Sequence, residues 1–358
     1  MRKRTGAMAG VRLLAAFALA LAAAAALVGS GGPAAAKGPR LGPSAHARLG
    51  APLTAASSSR LHDDSWWGGT YTAFTGERVH VYISAAYPRD DALGQRWANA
   101  LASLLHGSEL SLVRAYVAPH AHVQQICGRR ALGCYGDQEL VTIGDAVDGV
   151  SAEEVLRHEY GHHVAANRQN PPWAAVAWGT KRWASYMNVC TRAATGMAFP
   201  GDQGGGYTLN PGEAFAEAYR VVNEVRNGAP NFTWELADYS FRPDTAALRA
   251  VEEDVVHPWT QPRTRVVKAR FAGRSRSWTY VLSTPLDGDL ALTLSTPLGS
   301  THGVEIRTGD QRVLARGLWS GSGKQTLNYR VCGERSVVVR VTRQAGVPRF
   351  TLRIDAPA

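Results

Sequence analysis

Residues 158–162 read His158-Glu159-Tyr160-Gly161-His162, two imidazoles four positions apart with a carboxylate beside the first. On a helix, positions i and i+4 lie on one face, one turn apart, so both rings can offer a nitrogen to a single cation. Glu159 would then stand next to that cation, where a base for a water molecule is needed. With 11 His and no more than 29 Glu in 358 residues, roughly 0.03 chance occurrences of this pattern are expected. The competing reading is an amphipathic helix whose histidines are only polar surface. The helix that must carry the pair is well marked. Ser151 followed by Glu154 forms a capping box, and Leu156, Tyr160 and Val164 recur at helical spacing on a face away from the two histidines.

Two histidines leave a metal site one protein ligand short, with the fourth position kept for water. An extended motif would need Gly at 165 and His at 168, but Ala165 and Arg168 stand there. An acid after Gly179-Thr180 is also missing, because Arg182 occupies the position. A glutamate on a later helix remains. The stretch Gly212-Glu213-Ala214-Phe215-Ala216-Glu217-Ala218-Tyr219-Arg220 supplies Glu213, and Glu217 one turn on can orient a ligating histidine through its second ring nitrogen. Glu213 also lies three residues after Asn210, so an acid that merely caps the helix is the alternative. His163 points about 100° away from its neighbour His162, which places it behind the site or on the surface. His120 and His122 form an HxH pair read as part of a loop. No acidic partner is evident nearby, so no second metal site is expected there.

HEYGH followed by GEAFAEAYR resembles the gluzincin zinc metallopeptidases, most closely their lethal-factor-like subset, over about residues 151–220. The resemblance implies Zn2+ held by His158, His162 and Glu213, Glu159 as general base, and Glu217 as the carboxylate behind a ligand. It also implies that Tyr207 helps stabilise the oxyanion. The expected function is a secreted zinc-dependent endopeptidase that hydrolyses peptide bonds through a zinc-bound water activated by Glu159, with a protein or peptide as substrate. The alternative is a secreted zincin-fold binding protein whose catalysis is vestigial and whose tail binds glycan or cell wall.

The surrounding elements follow from periodicity. Residues 79–83 alternate as a strand, 92–106 have helical spacing, and 110–117 and 140–143 read as further strands. After the motif, 173–189 reads as one Trp-rich helix introduced by Pro171-Pro172, with its aromatics in the core. Asn210 and Pro211 start another helix, and 246–256 forms a last one. From about residue 262 the texture changes to short alternating runs (Leu290, Leu292, Leu294; Val337, Val339, Val341; Phe350, Leu352, Ile354) separated by Gly, Pro and Asp turns. The predicted architecture is an α+β zincin-like catalytic domain over 66–260, a mixed sheet with active-site helices, followed by a small all-β sandwich over 262–358.

The N-terminus reads as a signal peptide over 1–36. Arg2-Lys3-Arg4 precede an Ala/Leu-rich run, and Ala34-Ala35-Ala36 offers a small-residue cleavage site. Residues 37–65, rich in Ala, Gly, Pro and Ser, read as a flexible lead-in. The formal charge is +10. Losing Arg2, Lys3, Arg4 and Arg12 with the leader, and no acid, leaves +6. The remaining cations are scattered along the chain without the clustered stripe of a nucleic-acid footprint, so no nucleic acid is expected. Nor is stable membrane insertion, since no later segment is apolar enough to span a bilayer. Weak attraction to anionic cell-wall polymers stays open, and the tail is the candidate for glycan or cell-wall contact. The four cysteines fit two disulfides in an oxidising compartment, Cys127 with Cys134 and Cys190 with Cys332.

Overall fold

A mixed sheet forms the first half of the chain because its central strands are apolar on both faces. The structure, a computed structural model, describes residues 51–53, 58–129, 131–229, 232–317 and 323–358. The leader over 1–36 and most of the lead-in lie outside these residues. Strands β1 (Ala51–Pro52), β2 (Trp66–Thr72), β3 (Arg78–Ser84), β4 (Arg114–Ala118), β5 (Gly133–Gly136) and β6 (Glu139–Ile143) line up in the order β1-β5-β6-β4-β3-β2. The pairs β3–β4 and β4–β6 are parallel, while β2 and β5 each run antiparallel to their inner neighbour. β6 is buried along its whole length, as a strand covered on both faces must be. The part of the lead-in that is described therefore has structure: β1 pairs in parallel with β5, and Ser59–His62 form a 3-10 turn.

Helices cover this sheet. α1 (Asp91–Ala102) is capped by the Asp90 carboxylate, which accepts from the Ala92 amide at 2.9 Å, and it buries Trp97, Ala98 and Leu101. α2 (His120–Cys127) occupies a stretch read as loop and is tied by Cys127 to Cys134 of β5. α3 (Ala152–Ala166) is the helix of the HEYGH motif. Residues 110–117 are not one strand, because Ser108–Leu112 coil into a 3-10 turn before β4 begins. The expected single helix over 173–189 is also broken. After the short hairpin β7 (Gln169–Asn170) and β8 (Trp173–Ala174) come three short helices, α4 (Ala175–Trp178), α5 (Lys181–Tyr186) and α6 (Val189–Ala194). Gly179 at φ 78° and Asn188 at φ 54° divide them, since left-handed residues end a helix. Of the aromatics in this stretch, Trp183 is buried while Tyr186 is exposed. α7 (Pro211–Arg226) and α8 (Thr245–Val256) complete the layer.

The change of texture near residue 262 falls between α8 and the first of two four-stranded antiparallel sheets. One holds β10 (Ser277–Ser283), β15 (Ser336–Ala345), β12 (Thr301–Arg307) and β13 (Val313–Arg316) in that order. The other holds β14 (Gly323–Val331), β11 (Gly288–Thr296), β16 (Arg349–Ala356) and β9 (Arg263–Arg270). The alternating residues Leu290, Leu292, Leu294, Val337, Val339, Val341, Leu352 and Ile354 all face the shared interior. The molecule is thus a mixed α/β part followed by sandwich-like sheets. Cys190 of α6 is bonded to Cys332 after β14. Around that bridge Arg335 donates to Asp287 Oδ1 at 2.7 Å and to Asn188 Oδ1 at 2.8 Å, and the Asp287 amide donates to Ser185 Oγ at 2.9 Å.

Candidate metal centre

Both helices that carry the motif residues are fixed at their starts. Ser151 Oγ accepts from the Glu154 amide at 3.2 Å, and the Glu154 carboxylate accepts from the Ser151 amide at 2.7 Å. Val155, Leu156, Tyr160 and Val164 anchor α3 in the core. At α7 the cap is Asn210, whose side-chain oxygen accepts from the Gly212 amide at 3.0 Å, with Pro211 in the first turn. Glu213 takes no part in capping. Its carboxylate turns inward, so the alternative of a purely capping acid does not describe this side chain.

The two helices cross at Gly161. A methyl added there would lie 2.7 Å from Ala216 Cα and 3.0 Å from Ala216 O, so only glycine allows this approach. The crossing brings Glu213 Oε2 to 3.4 Å from His158 Nε2 and 3.3 Å from His162 Nε2. One donor atom from each of His158, His162 and Glu213 lies within 4.8 Å of the others, all three residues are buried, and among the described residues they are the only such group. Neither Nε2 has a hydrogen-bond partner, and neither does either oxygen of Glu159. A buried polar atom left unpaired costs about 1–3 kcal/mol, so the two unpaired nitrogens, facing one Glu213 oxygen, describe a place for a cation. The donor set of two imidazoles and a carboxylate suits a metal ion of the zinc type.

The polar atoms behind these donors are satisfied. His158 Nδ1 donates to Glu217 Oε2 at 3.3 Å, which in the neutral ring sets the tautomer whose Nε2 is free to bind a metal. Glu217 is in turn gripped by Arg220, with Nε at 3.0 Å from Oε2 and Nη2 at 2.7 Å from Oε1. Arg220 also donates to Thr233 O at 2.7 Å and to Glu224. Over Glu213 lies the loop before α7. Tyr207 Oη donates to Glu213 Oε2 at 2.9 Å, and Gln203 Nε2 donates to Oε1 at 3.1 Å.

Charge follows the same plan. Burial alone would push His158 down, but contact with Glu213 and Glu217 outweighs it and lifts the ring to about 10. Burial opposes ionisation of Glu213, and the two imidazoles overcome it, holding this carboxyl well below its usual range. Burial likewise works against Glu217, and His158 and Arg220 together keep it low. Two carboxylates facing two imidazoles thus stabilise an added positive charge. Glu159 is different. Burial drives its carboxyl upward, and only His158 pulls the other way. It sits against Gly133 of β5, where a methyl would come within 2.8 Å of Oε1. Burial and the Glu213 charge raise Tyr207, which stays a hydroxyl donor.

Each residue singled out from the sequence can now be placed. His158, His162 and Glu213 converge, Glu159 lies beside them, Glu217 stands behind His158, and Tyr207 reaches Glu213. His163 is fully buried rather than at the surface, with Nε2 at 2.8 Å from Glu109 O and Nδ1 at 3.2 Å from Tyr135 Oη. It fixes α3 to the sheet. His122 stacks on Trp66 at 4.8 Å and pairs with Ser84 Oγ, and His120 pairs with Gln124. Sequence reasoning missed Arg220, Gln203 and Gly133. Arg220 was findable, three residues after Glu217 on the same helix face. The other two lie in a glycine-rich loop and on a short strand that carry no periodic signal.

No family model and no curated protein matches the chain. Among solved structures it is similar to the pre-peptidase C-terminal domain of a collagenase from Bacillus anthracis, at 11% identity and a TM-score of 0.20, over 26% of this chain and 87% of that one. That likeness is too weak to bear on fold or function. All four cysteines are in disulfides, which suggests an extracellular protein. Among the described residues no helix is long and apolar enough to cross a membrane.

Proposed function

We propose that the chain is a secreted zinc-dependent endopeptidase of the gluzincin type, with a zincin-like fold in its first part. The observation that carries the reading is the meeting of Glu213 with His158 and His162, with the unpaired Glu159 carboxylate beside them. His158 Nε2, His162 Nε2 and a Glu213 oxygen would hold the zinc. When bound, zinc supplies a Lewis acid that polarises a peptide carbonyl and lowers the pKa of water towards about 7.

The protein side of the chemistry falls to four residues. Glu159, with no hydrogen bond to either oxygen, takes a proton from the attacking water and delivers it to the leaving peptide nitrogen. Water has then added its oxygen to the carbonyl carbon, the C–N bond has broken, and Glu159 is a carboxylate again. Tyr207, kept as a hydroxyl, would turn its one O–H from Glu213 Oε2 to the oxygen that gains charge on the carbonyl. Glu217 and Arg220 hold the His158 ring at one tautomer and one angle.

Metal analysis of the purified protein, paired with turnover of unfolded casein, tests this. Zinc near one per chain and casein cleavage abolished by chelation are expected. Glu159→Gln should retain zinc and lose about 100-fold or more of the activity, the usual weight of a general base. Full activity in Glu159→Gln, or cleavage indifferent to chelation, removes this scheme.

A further inference from the structure

Cations that are scattered in the sequence are collected on one sheet face. In the sheet β14-β11-β16-β9, burial alternates along β14, β11 and β16, so one face packs inward on Leu290, Leu292, Leu294, Leu352 and Ile354 and the other faces out, and pairing with β16 carries that outer face onto β9. Register decides what the outer face displays. Ser295 pairs with Lys324 on one side and with Thr351 on the other, and Thr351 pairs with Lys268. This gives a row across all four strands, two lysines flanking two hydroxyls. Two residues along, Arg349 stands directly opposite Arg270. Lys268, Arg270, Lys324 and Arg349 are all exposed, and among the described residues none of the four has an ion pair. The acids on this face are already engaged: Asp355 with Arg353 at 2.9 Å, and Asp289 with Arg330 at 3.1 Å.

Like charges placed directly opposite on a sheet are destabilising, and nothing in the fold requires them here. The row can carry out a task that offsets this cost. Strands lie about 4.8 Å apart and alternate residues about 7 Å apart along a strand. Donors on that grid suit anionic groups repeated along a chain. Between them Lys268, Arg270, Ser295, Pro297, Arg349 and Thr351 line an open depression of about 530 Å³. The outward positions between the cations are Val266, Thr293, Ser295, Thr326, Asn328 and Thr351, with no aromatic ring among them. Single-stranded nucleic acid is gripped by stacking bases on aromatic rings as well as by charge; Phe350 also lines the depression, but its ring is buried against Phe271 and Trp278, so no ring is presented for stacking along the outward positions of this face. It offers ammonium, guanidinium, hydroxyl and amide groups, which match a sugar chain bearing anionic groups.

We propose that the outer face of this sheet binds a linear anionic polysaccharide, through Lys268, Arg270, Lys324 and Arg349. The site is separate from the metal centre, and its test does not depend on peptide hydrolysis. Binding of the full chain to dextran sulfate is measured against neutral dextran and a poly-dT strand, at several salt concentrations. Dextran sulfate should bind with an affinity that falls steeply as salt rises, neutral dextran should not bind, and poly-dT should bind at least about tenfold more weakly. The triple variant Lys268→Gln, Arg270→Gln, Arg349→Gln should lose about tenfold or more in affinity and show a shallower salt dependence. A control with the same charge change elsewhere, Arg89→Gln, Arg129→Gln, Arg249→Gln, should bind as the parent does. Unchanged thermal unfolding of the triple variant keeps misfolding out of the comparison, and Lys324→Gln alone should weaken binding if that fold is disturbed. Equal loss in the control, full binding in the triple variant, equal affinity for poly-dT, or no binding of dextran sulfate each overturns the proposal.

Discussion

His158 meets a carboxylate on each of its nitrogens but is hydrogen-bonded through Nδ1 alone. Nε2 faces Glu213, and Nδ1 donates to Glu217, which Arg220 grips with two nitrogens. Such a carboxylate sets ring angle and tautomer, and losing one typically costs 10–100-fold in metal affinity. Glu217→Gln keeps size and one acceptor oxygen but loses the charge that both His158 and Arg220 use. Zinc affinity measured by competition with a chromogenic chelator should therefore weaken by about 10- to 100-fold, while Glu213→Ala should abolish binding. An unchanged affinity in Glu217→Gln would make the buried carboxylate a purely structural partner of Arg220. At this scale the sequence was informative wherever function forces a spacing. Two histidines at i and i+4, and Glu217 four residues after Glu213, state which side chains share a face. It was silent where a residue acts from a segment with no periodic pattern, or by lacking a side chain. Gln203 reaches Glu213 from a loop of glycines, and Gly133 matters for what it lacks, a side chain that would collide with Glu159.

Between elements, the decisive distance is that from α3 to α7. Every candidate metal donor sits on one of these two helices, so their separation sets the size of the site. Gly161 sets that separation, because its Cα lies against Ala216 with no room for a methyl. Gly161→Ala should push α7 outward, carry Glu213 away from the imidazoles, and cost about 1–3 kcal/mol as overpacking does. Weakened zinc binding together with a lowered unfolding midpoint is the expected result. A lowered midpoint with zinc affinity intact would mean that the helices adapt without moving the donors. Helices with caps and a periodic face were legible: α3 through its capping box, α7 through Asn210 and Pro211, and α8 through its apolar spacing. Three strands of the sandwich, β11, β15 and β16, were legible as well, since a period of two over Leu290–Leu294 or Val337–Val341 has one reading. The failures lie where left-handed residues interrupt a favourable run. Periodicity over 173–189 suggested one helix, whereas Gly179 and Asn188 cut it into three. Local pattern also hid α2 and β5, short elements held in place by their shared disulfide and by the sheet.

Across the whole chain, the joint between the α/β part and the sandwich is built from charge as well as from the Cys190–Cys332 bond. Lys181 of α5 is buried there. Its ammonium donates to Pro171 O at 2.7 Å and faces the rings of Trp259 at 4.9 Å and Trp173 at 5.9 Å, close beneath Gly288 of β11. Burial lowers its pKa from 10.5 to about 8, against the pull of Asp287, Asp289 and Asp254, which raises it. In the unfolded chain the amine returns to about 10.4. Between about pH 8 and pH 10.5 the unfolded chain therefore binds more protons at this group than the folded chain does. Stability rises with pH across that window and is lost again as pH falls back through it. The size is at most about 3 kcal/mol, reached in full only above the unfolded pKa. Lys181→Met fills similar space without a titrating group. Its unfolding midpoint, followed from pH 7.5 to 10.5, should lack the upward component seen in the parent, so that the difference between the two proteins changes steadily through the window. Parallel curves would mean that the amine is as well solvated in the fold as in the unfolded chain, and that the two aromatic rings and the Pro171 carbonyl do not enclose it.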